Sequence, residues 1–234
     1  MNAGDSPVPR RDCPLCPRLV AFRKAQQEAH PDWFNAPVPP FGNEGAELLV
    51  VGLAPGLRGA NRTGRPFTGD YAGGLLYQTL AKFGFAAGVY DARPDDGLVL
   101  GRARITNAVR CVPPQNRPEP GEITTCGQFL AAEIAALPRL RAILALGVIA
   151  HQSVLAALGL RRGRFPFAHG RIHLLPSGVA LGDSYHCSRL NTNTGKLSVS
   201  MFEAVFAAVT KHLEAPGPSR PVGNDIERHR ATRW

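Results

Sequence analysis

The chain has 234 residues, 44% of them hydrophobic, which is enough for one domain of ordinary size with a full core. Its 27 basic and 18 acidic side chains leave a formal charge of +9, which favours a polyanionic partner without separating DNA from RNA. No run approaches a transmembrane length and the first residues carry no apolar signal core, so a cytoplasmic protein without a membrane partner is expected; five cysteines, an odd count, argue against a disulfide framework.

Residues 1–10, with Pro7 and Pro9, read as disordered. Cys13 and Cys16 form a C-x-x-C in a tight turn, and residues 19–29 have the spacing of a first helix. A proline-rich loop over 30–45 leads to Glu47-Leu48-Leu49-Val50-Val51, a short β-branched run closed by glycine, as in a buried parallel strand. The loop Gly52-Leu53-Ala54-Pro55-Gly56 follows, with Asn61 to Asp70 behind it. Ligands bind at strand carboxyl ends in open α/β sheets, so this loop is a candidate site. It is not a Walker loop: Gly59 and Gly64 have the right gap, but Arg65 and Pro66 stand where Lys and Ser or Thr are needed.

A helix is expected over 72–83, stopped by Gly84, and a strand over 104–109. The stiff loop 112–121 precedes a helix from about 119 to 137, which carries Cys126. Residues 141–147 are the cleanest strand, leading into a helix over 148–158. Shorter strands at 170–175 and 178–182 and an amphipathic helix over 196–213 follow. Alternating strand and helix periods imply a parallel sheet covered on both faces. The expected organisation is a single domain over 11–214 followed by a disordered basic tail, 215–234.

Two thiolates from C-x-x-C, with Cys111 after a strand and Cys126 in the next helix, form a candidate four-cysteine metal site of structural role; spacing leaves zinc and iron open. The absence of a βαβ start disfavours a thioredoxin-like pair. Asp95 and Asp96 fall in an expected surface loop, so no acidic cluster suggests a metal-dependent nuclease. A non-catalytic nucleic-acid-binding protein stapled by its metal site stays open on these grounds. Late in the chain, His186-Cys187-Ser188-Arg189-Leu190-Asn191-Thr192-Asn193-Thr194-Gly195 forms a polar loop between the last strand and the last helix.

These segments together resemble the uracil-DNA glycosylase superfamily, and within it family 5, the type b enzymes. The resemblance covers Cys13 to about Leu213. It implies a three-layer α/β/α sandwich around a central, mostly parallel four-stranded sheet, with a [4Fe-4S] cluster on Cys13, Cys16, Cys111 and Cys126 and zinc as the less favoured occupant. The implied reaction is excision of uracil and related deaminated bases from double-stranded DNA by a monomer, with single-stranded DNA left open. Ala54 occupies the place of the superfamily's water-activating residue, and Asp70 is implied to serve instead. His186 is implied to face uracil O2, Phe67 to stack on the flipped base, and Asn107 to read its edge. Gly52, Ala54, Gly56 and Asn191 complete the implied base pocket. Arg62, Arg65, Ser188, Arg189 and Leu190 are implied to contact DNA, with Leu190 entering the emptied stack. Leu53, where family 4 has glutamate, disfavours that family. Gly56, where uracil-strict enzymes carry tyrosine, suggests room for hypoxanthine or bulkier uracil derivatives. Cys187 departs from the family's proline and reads as a packing residue. Arg161, Arg162, Arg164 and Arg171 form a second basic concentration suited to phosphate.

Overall fold

The computed structural model describes residues 8–215; the expected disorder of residues 1–7 and of the tail from 216 onward falls outside them. Within 1–10, Val8 to Arg10 are placed, with Pro9 buried. The first helix, α1, is Pro17–Ala29. The expected loop after it contains a two-residue strand, β1 (Phe41–Gly42). Next come β2 (Leu48–Gly52), a short α2 (Ala60–Thr63) and α3 (Tyr71–Lys82). A small hairpin of β3 (Ala86–Ala87) and β4 (Val99–Leu100) leads to β5 (Ala103–Asn107). Then follow α4 (Pro120–Ala136), β6 (Ala142–Leu146) and α5 (Val148–Ala157). The chain continues through β7 (Ile172–Leu174), β8 (Ala180–Ser184), α6 (Arg189–Asn193) and α7 (Val199–Glu214).

The main sheet has six strands in the order β1-β5-β2-β6-β8-β7. β5, β2, β6 and β8 run parallel, and β1 and β7 are antiparallel edges. The expected four strands are therefore the parallel centre, and two short edges enlarge the sheet. All five residues of each central strand are buried, as a sheet covered on both faces requires.

Side-chain alternation divides the core into two layers. Leu48, Val50, Ile105 and Leu144 face Leu76 and Leu80 of α3 and Phe202, Val205 and Phe206 of α7. Leu49, Val51, Ile143 and Ala145 face Leu130 of α4 and Ala150, Val154 and Leu155 of α5. A third, smaller cluster joins Leu19 of α1 to Val109, Cys111, Cys126 and Phe129. Arg18 ties α1 to α4 with two bonds to Glu122, at 2.8 and 2.7 Å. The same Glu122 accepts from the backbone N–H of Glu119 as part of a capping box at the start of α4. The loops after β2, β5 and β8 gather at one end of the sheet, where the strand order departs to both sides of β2.

Candidate active site and cysteine cavity

Glycines let the loops at this end close on one another. A Cβ at Gly52 would lie 2.5 Å from both Asn107 Oδ1 and the tip of the Phe67 ring, so its absence lets the end of β5 and the following loop meet. Phe67 itself has a left-handed backbone, φ +53°, a conformation costly for a bulky residue unless its surroundings hold it. They do. The Tyr77 hydroxyl donates to Pro66 O at 2.6 Å and the Tyr90 hydroxyl to Phe67 O at 3.1 Å. Beneath them Gly73 is obligatory, because a Cβ there would sit 1.9 Å from Phe67 O.

Asp70 is the N-cap of α3, where its Oδ1 accepts from Gly73 N at 3.2 Å. Its Oδ2 occupies space left by Gly56 and Gly59, whose missing Cβ atoms would lie 3.2 and 2.5 Å away. Burial pushes the Asp70 carboxyl above its ordinary range, opposed by the Gly73 and Ala72 N–H groups. His186 leaves the end of β8. Its ring lies 5.9 Å from that of Phe67 at 28°, and burial lowers its pKa, so the imidazole is neutral at pH 7. Asn191 Nδ2 donates to the His186 carbonyl at 2.8 Å and fixes the loop that carries the ring.

A cavity of about 620 Å³ is lined by Asp70, His186, Phe67 and Asn107, with Ala54 and Gly56 on its wall and Ser188 and Arg189 at its side. Gly52 lies just behind Asn107 and Phe67. Asn191 is outside the lining, as is Leu190, which stands 72% exposed on α6. Arg62 is exposed beside a neighbouring groove with Trp33 and Phe34. Arg161, Arg162, Arg164 and Arg171 are all exposed.

One expected DNA contact is corrected. Arg65 is buried, with two bonds to Asp96 at 2.8 and 2.7 Å, and its guanidinium lies over Phe41, Tyr77 and Tyr90. It braces the Phe67 loop from inside. Asp96, expected on the surface, is its buried partner, and the pair holds the Asp96 carboxyl well below the carboxylate range. Residues that line the cavity without being expected there include Arg58, Tyr71 and Asn116. Gln115 and Asn116 both have left-handed backbones, φ +55° and +57°. The tolerance of asparagine for that conformation, directly after two prolines, is the available signal.

Away from this cavity, Cys13, Cys16, Cys111 and Cys126 line one small pocket between α1 and α4. No three of their sulfurs lie within 4.8 Å of one another. Polar donors point at them: Arg110 N to Cys126 Sγ at 3.3 Å and Arg23 Nη1 to Cys111 Sγ at 3.5 Å. Arg110 also lines the pocket; its guanidinium is paired through Nη2 with the buried Glu133, and its Nε and Nη1 are buried without a hydrogen-bond partner. Without a cation the thiols stay protonated, since burial pushes Cys16 up to about 11 and Cys111 up to about 12. Cys187 belongs to the main core, packed at Ala72 O, 3.6 Å away.

An α/β/α sandwich with a half-buried carboxylate, an imidazole and an aromatic ring around one cavity at its strand ends is the arrangement of a base-excising hydrolase. Residues 39–210 match the uracil DNA glycosylase superfamily, and the chain belongs to that superfamily. It is similar to a type-5 uracil-DNA glycosylase of Thermus thermophilus, 46% identical over 196 residues, covering 81% of this chain and 89% of the relative. It is also similar to the type-5 uracil-DNA glycosylase of Pyrobaculum aerophilum, 40% identical over 198 residues, 83% of this chain and 86% of that one. A type-4 uracil-DNA glycosylase of Archaeoglobus fulgidus matches less of the chain, 36% identical over 137 residues, 58% of this chain and 61% of that one.

Proposed function

We propose that this chain excises uracil from DNA by hydrolysing the N-glycosidic bond, with Asp70 and His186 acting from different sides of the bond. The observation that carries the reading is that both groups, distant in sequence, line the same cavity as Phe67 and Asn107. Breaking the bond puts positive charge on the sugar and negative charge on the departing base. The neutral His186 ring offers an N–H to the base oxygen, where a well-placed donor is typically worth about 10²-fold or more in rate. The Asp70 carboxylate stabilises the sugar cation and orients the attacking water. Ala54, apolar and on the cavity wall, cannot take that role.

Flipping the base costs a few kcal/mol, less in a mismatch. Stacking on Phe67, worth roughly 1–3 kcal/mol, offsets part of it. Asn107 holds its amide at the base edge, and Asn116 faces the cavity from a different loop. The substrate is duplex DNA, with single strands also accepted, and the protein works as a monomer in a prokaryotic cytosol. Exposed Arg62, Arg189 and the arginines at 161, 162, 164 and 171 suit phosphates, and Leu190 is free to enter the stack vacated by the base. At position 56 no side chain projects into the cavity, so hypoxanthine and 5-substituted uracil are substrates as well.

The four cysteines suit a [4Fe-4S] cluster better than zinc. Tetrahedral zinc, with Zn–S near 2.3 Å, needs all four sulfurs about 3.8 Å apart, whereas no three of these four lie within 4.8 Å of one another. When bound, the cluster joins α1, the end of β5 and α4, a structural duty remote from the glycosidic bond. The functional test is incubation of uracil-bearing duplex with the protein followed by alkaline cleavage. A nick at the uracil position is expected. An intact strand after incubation with folded, iron-loaded protein would leave only a DNA-binding role.

A further inference from the structure

A second cluster of metal-binding side chains gathers around β8, the strand that leads to His186, and the excision reaction does not use it. His151 of α5, His173 of β7 and Asp183 of β8 place one donor atom each within 4.8 Å of one another. His151 and Asp183 are buried, and the His173 side chain is nine-tenths buried. The His151 Nε2 lies 2.8 Å from Phe165 O, so it carries the hydrogen and donates to that carbonyl. That bond turns the Nδ1 lone pair toward Asp183 Oδ1, only 2.6 Å away. Two lone pairs at this distance require a cation between them, a proton or a metal ion. Fixing one ring nitrogen by a backbone carbonyl is how metal-ligating histidines are commonly oriented.

The third residue decides between the two cations. His173 Nε2 lies 3.5 Å from Asp183 Oδ2 and is buried without a hydrogen-bond partner. A proton on His151 satisfies the first pair and leaves His173 stranded. A metal ion satisfies all three donors at once, and buried polar atoms are rarely left unpaired. Two imidazoles and one carboxylate are a borderline donor set, suited to zinc and unsuited to calcium or magnesium, which take oxygen ligands.

We propose that His151, His173 and Asp183 form a structural zinc site that pins the edge hairpin β7–β8 to α5. Tetrahedral ligands at 2.0–2.1 Å stand about 3.3 Å apart. The His173–Asp183 separation of 3.5 Å fits this, and the His151–Asp183 contact of 2.6 Å must widen to admit the ion. Ala168 N, donating to Asp183 Oδ2 at 3.2 Å, holds the carboxylate in place. Three protein ligands leave the fourth tetrahedral position to a water molecule, and two of the three, His151 and Asp183, are buried. The effect of the ion is on the rigidity of β8, whose end leads through Tyr185 to His186.

This site is independent of the excision reading and is tested without activity. Full-length, iron-loaded protein is equilibrated with zinc chloride, dialysed exhaustively, and assayed for zinc and iron by mass spectrometry alongside His173→Gln and His151→Gln. Wild type is expected to retain one zinc per chain more than either variant at equal iron. Equal zinc in all three proteins would overturn the proposal and leave the proton as the shared cation. If the variants fail to fold, zinc absorption-edge spectroscopy of the wild type decides. A nitrogen and oxygen shell is expected; a shell of sulfur alone, or no retained zinc, overturns the site.

Discussion

Replacing Asp70 by Asn is expected to move stability and activity in opposite directions. Asp70 is half-buried, and its desolvation outweighs the N–H groups of Ala72 and Gly73 that favour its charge, so its carboxyl has a raised proton affinity in the folded state. A raised folded pKa means the native state holds the proton where the unfolded chain has released it. Stability therefore falls as pH rises through that window and stays lower at neutrality. Each tenfold difference in proton affinity is worth about 1.4 kcal/mol. Asparagine carries no charge but caps a helix as well as aspartate does, so the bond from Gly73 N survives. Thermal unfolding at pH 7 should then show a higher Tm for Asp70→Asn, by roughly 2–4 °C per kcal/mol for a domain of this size. The difference should vanish at a pH below the unfolded carboxyl's range. Single-turnover excision should fall by about 10²–10³-fold, equivalent to roughly 2.7–4 kcal/mol in the barrier. A less stable variant, or one excising at the wild-type rate, would refute the reasoning.

Gly73→Ala places a Cβ 1.9 Å from Phe67 O and 2.3 Å from the Tyr90 hydroxyl. It should cost about 1–3 kcal/mol by denaturant unfolding, as overpacking does, and raise KM through the displaced Phe67 ring. Cys126→Ser should bleach the broad absorbance near 400 nm expected of an iron–sulfur protein, and lower thermal stability while leaving the pH dependence of residual excision unchanged. Reversing Arg161 and Arg162 to Glu should weaken DNA binding and flatten the dependence of log affinity on log salt by about 1 to 2, roughly one for each phosphate no longer neutralised. An unchanged slope would remove them from the interface.

The sequence makes some of this legible and hides the rest for physical reasons. The central strands announce themselves because burial on both faces makes them continuous apolar runs, as in Ala142–Leu146. The edge strand β1 escapes because it is two residues inside a proline-rich stretch, whereas β7 falls within the strand expected over 170–175. Arg65 misleads because a basic residue in an active loop looks like a phosphate contact. Its partner Asp96 and the three rings around it come from segments whose approach no local pattern encodes. Asn191 misleads more subtly: it lies beside His186 in the motif, but its amide is spent on the His186 carbonyl. Asn116 escapes notice because its loop reads only as stiff, whereas two successive left-handed residues bring it to the cavity. That Asp70 and His186 share one cavity depends on parallel register among β2, β5, β6 and β8, which sequence periodicity leaves undetermined.

The most direct measurement is a co-crystal structure of the protein with duplex DNA carrying a uridine whose glycosidic bond is stabilised by 2′-fluorination. The base should lie on the Phe67 ring, with a His186 ring nitrogen about 3 Å from O2 and the Asp70 carboxylate on the sugar's far face. A flipped base held elsewhere, or one in this cavity with Asp70 turned away from the sugar, would contradict the account.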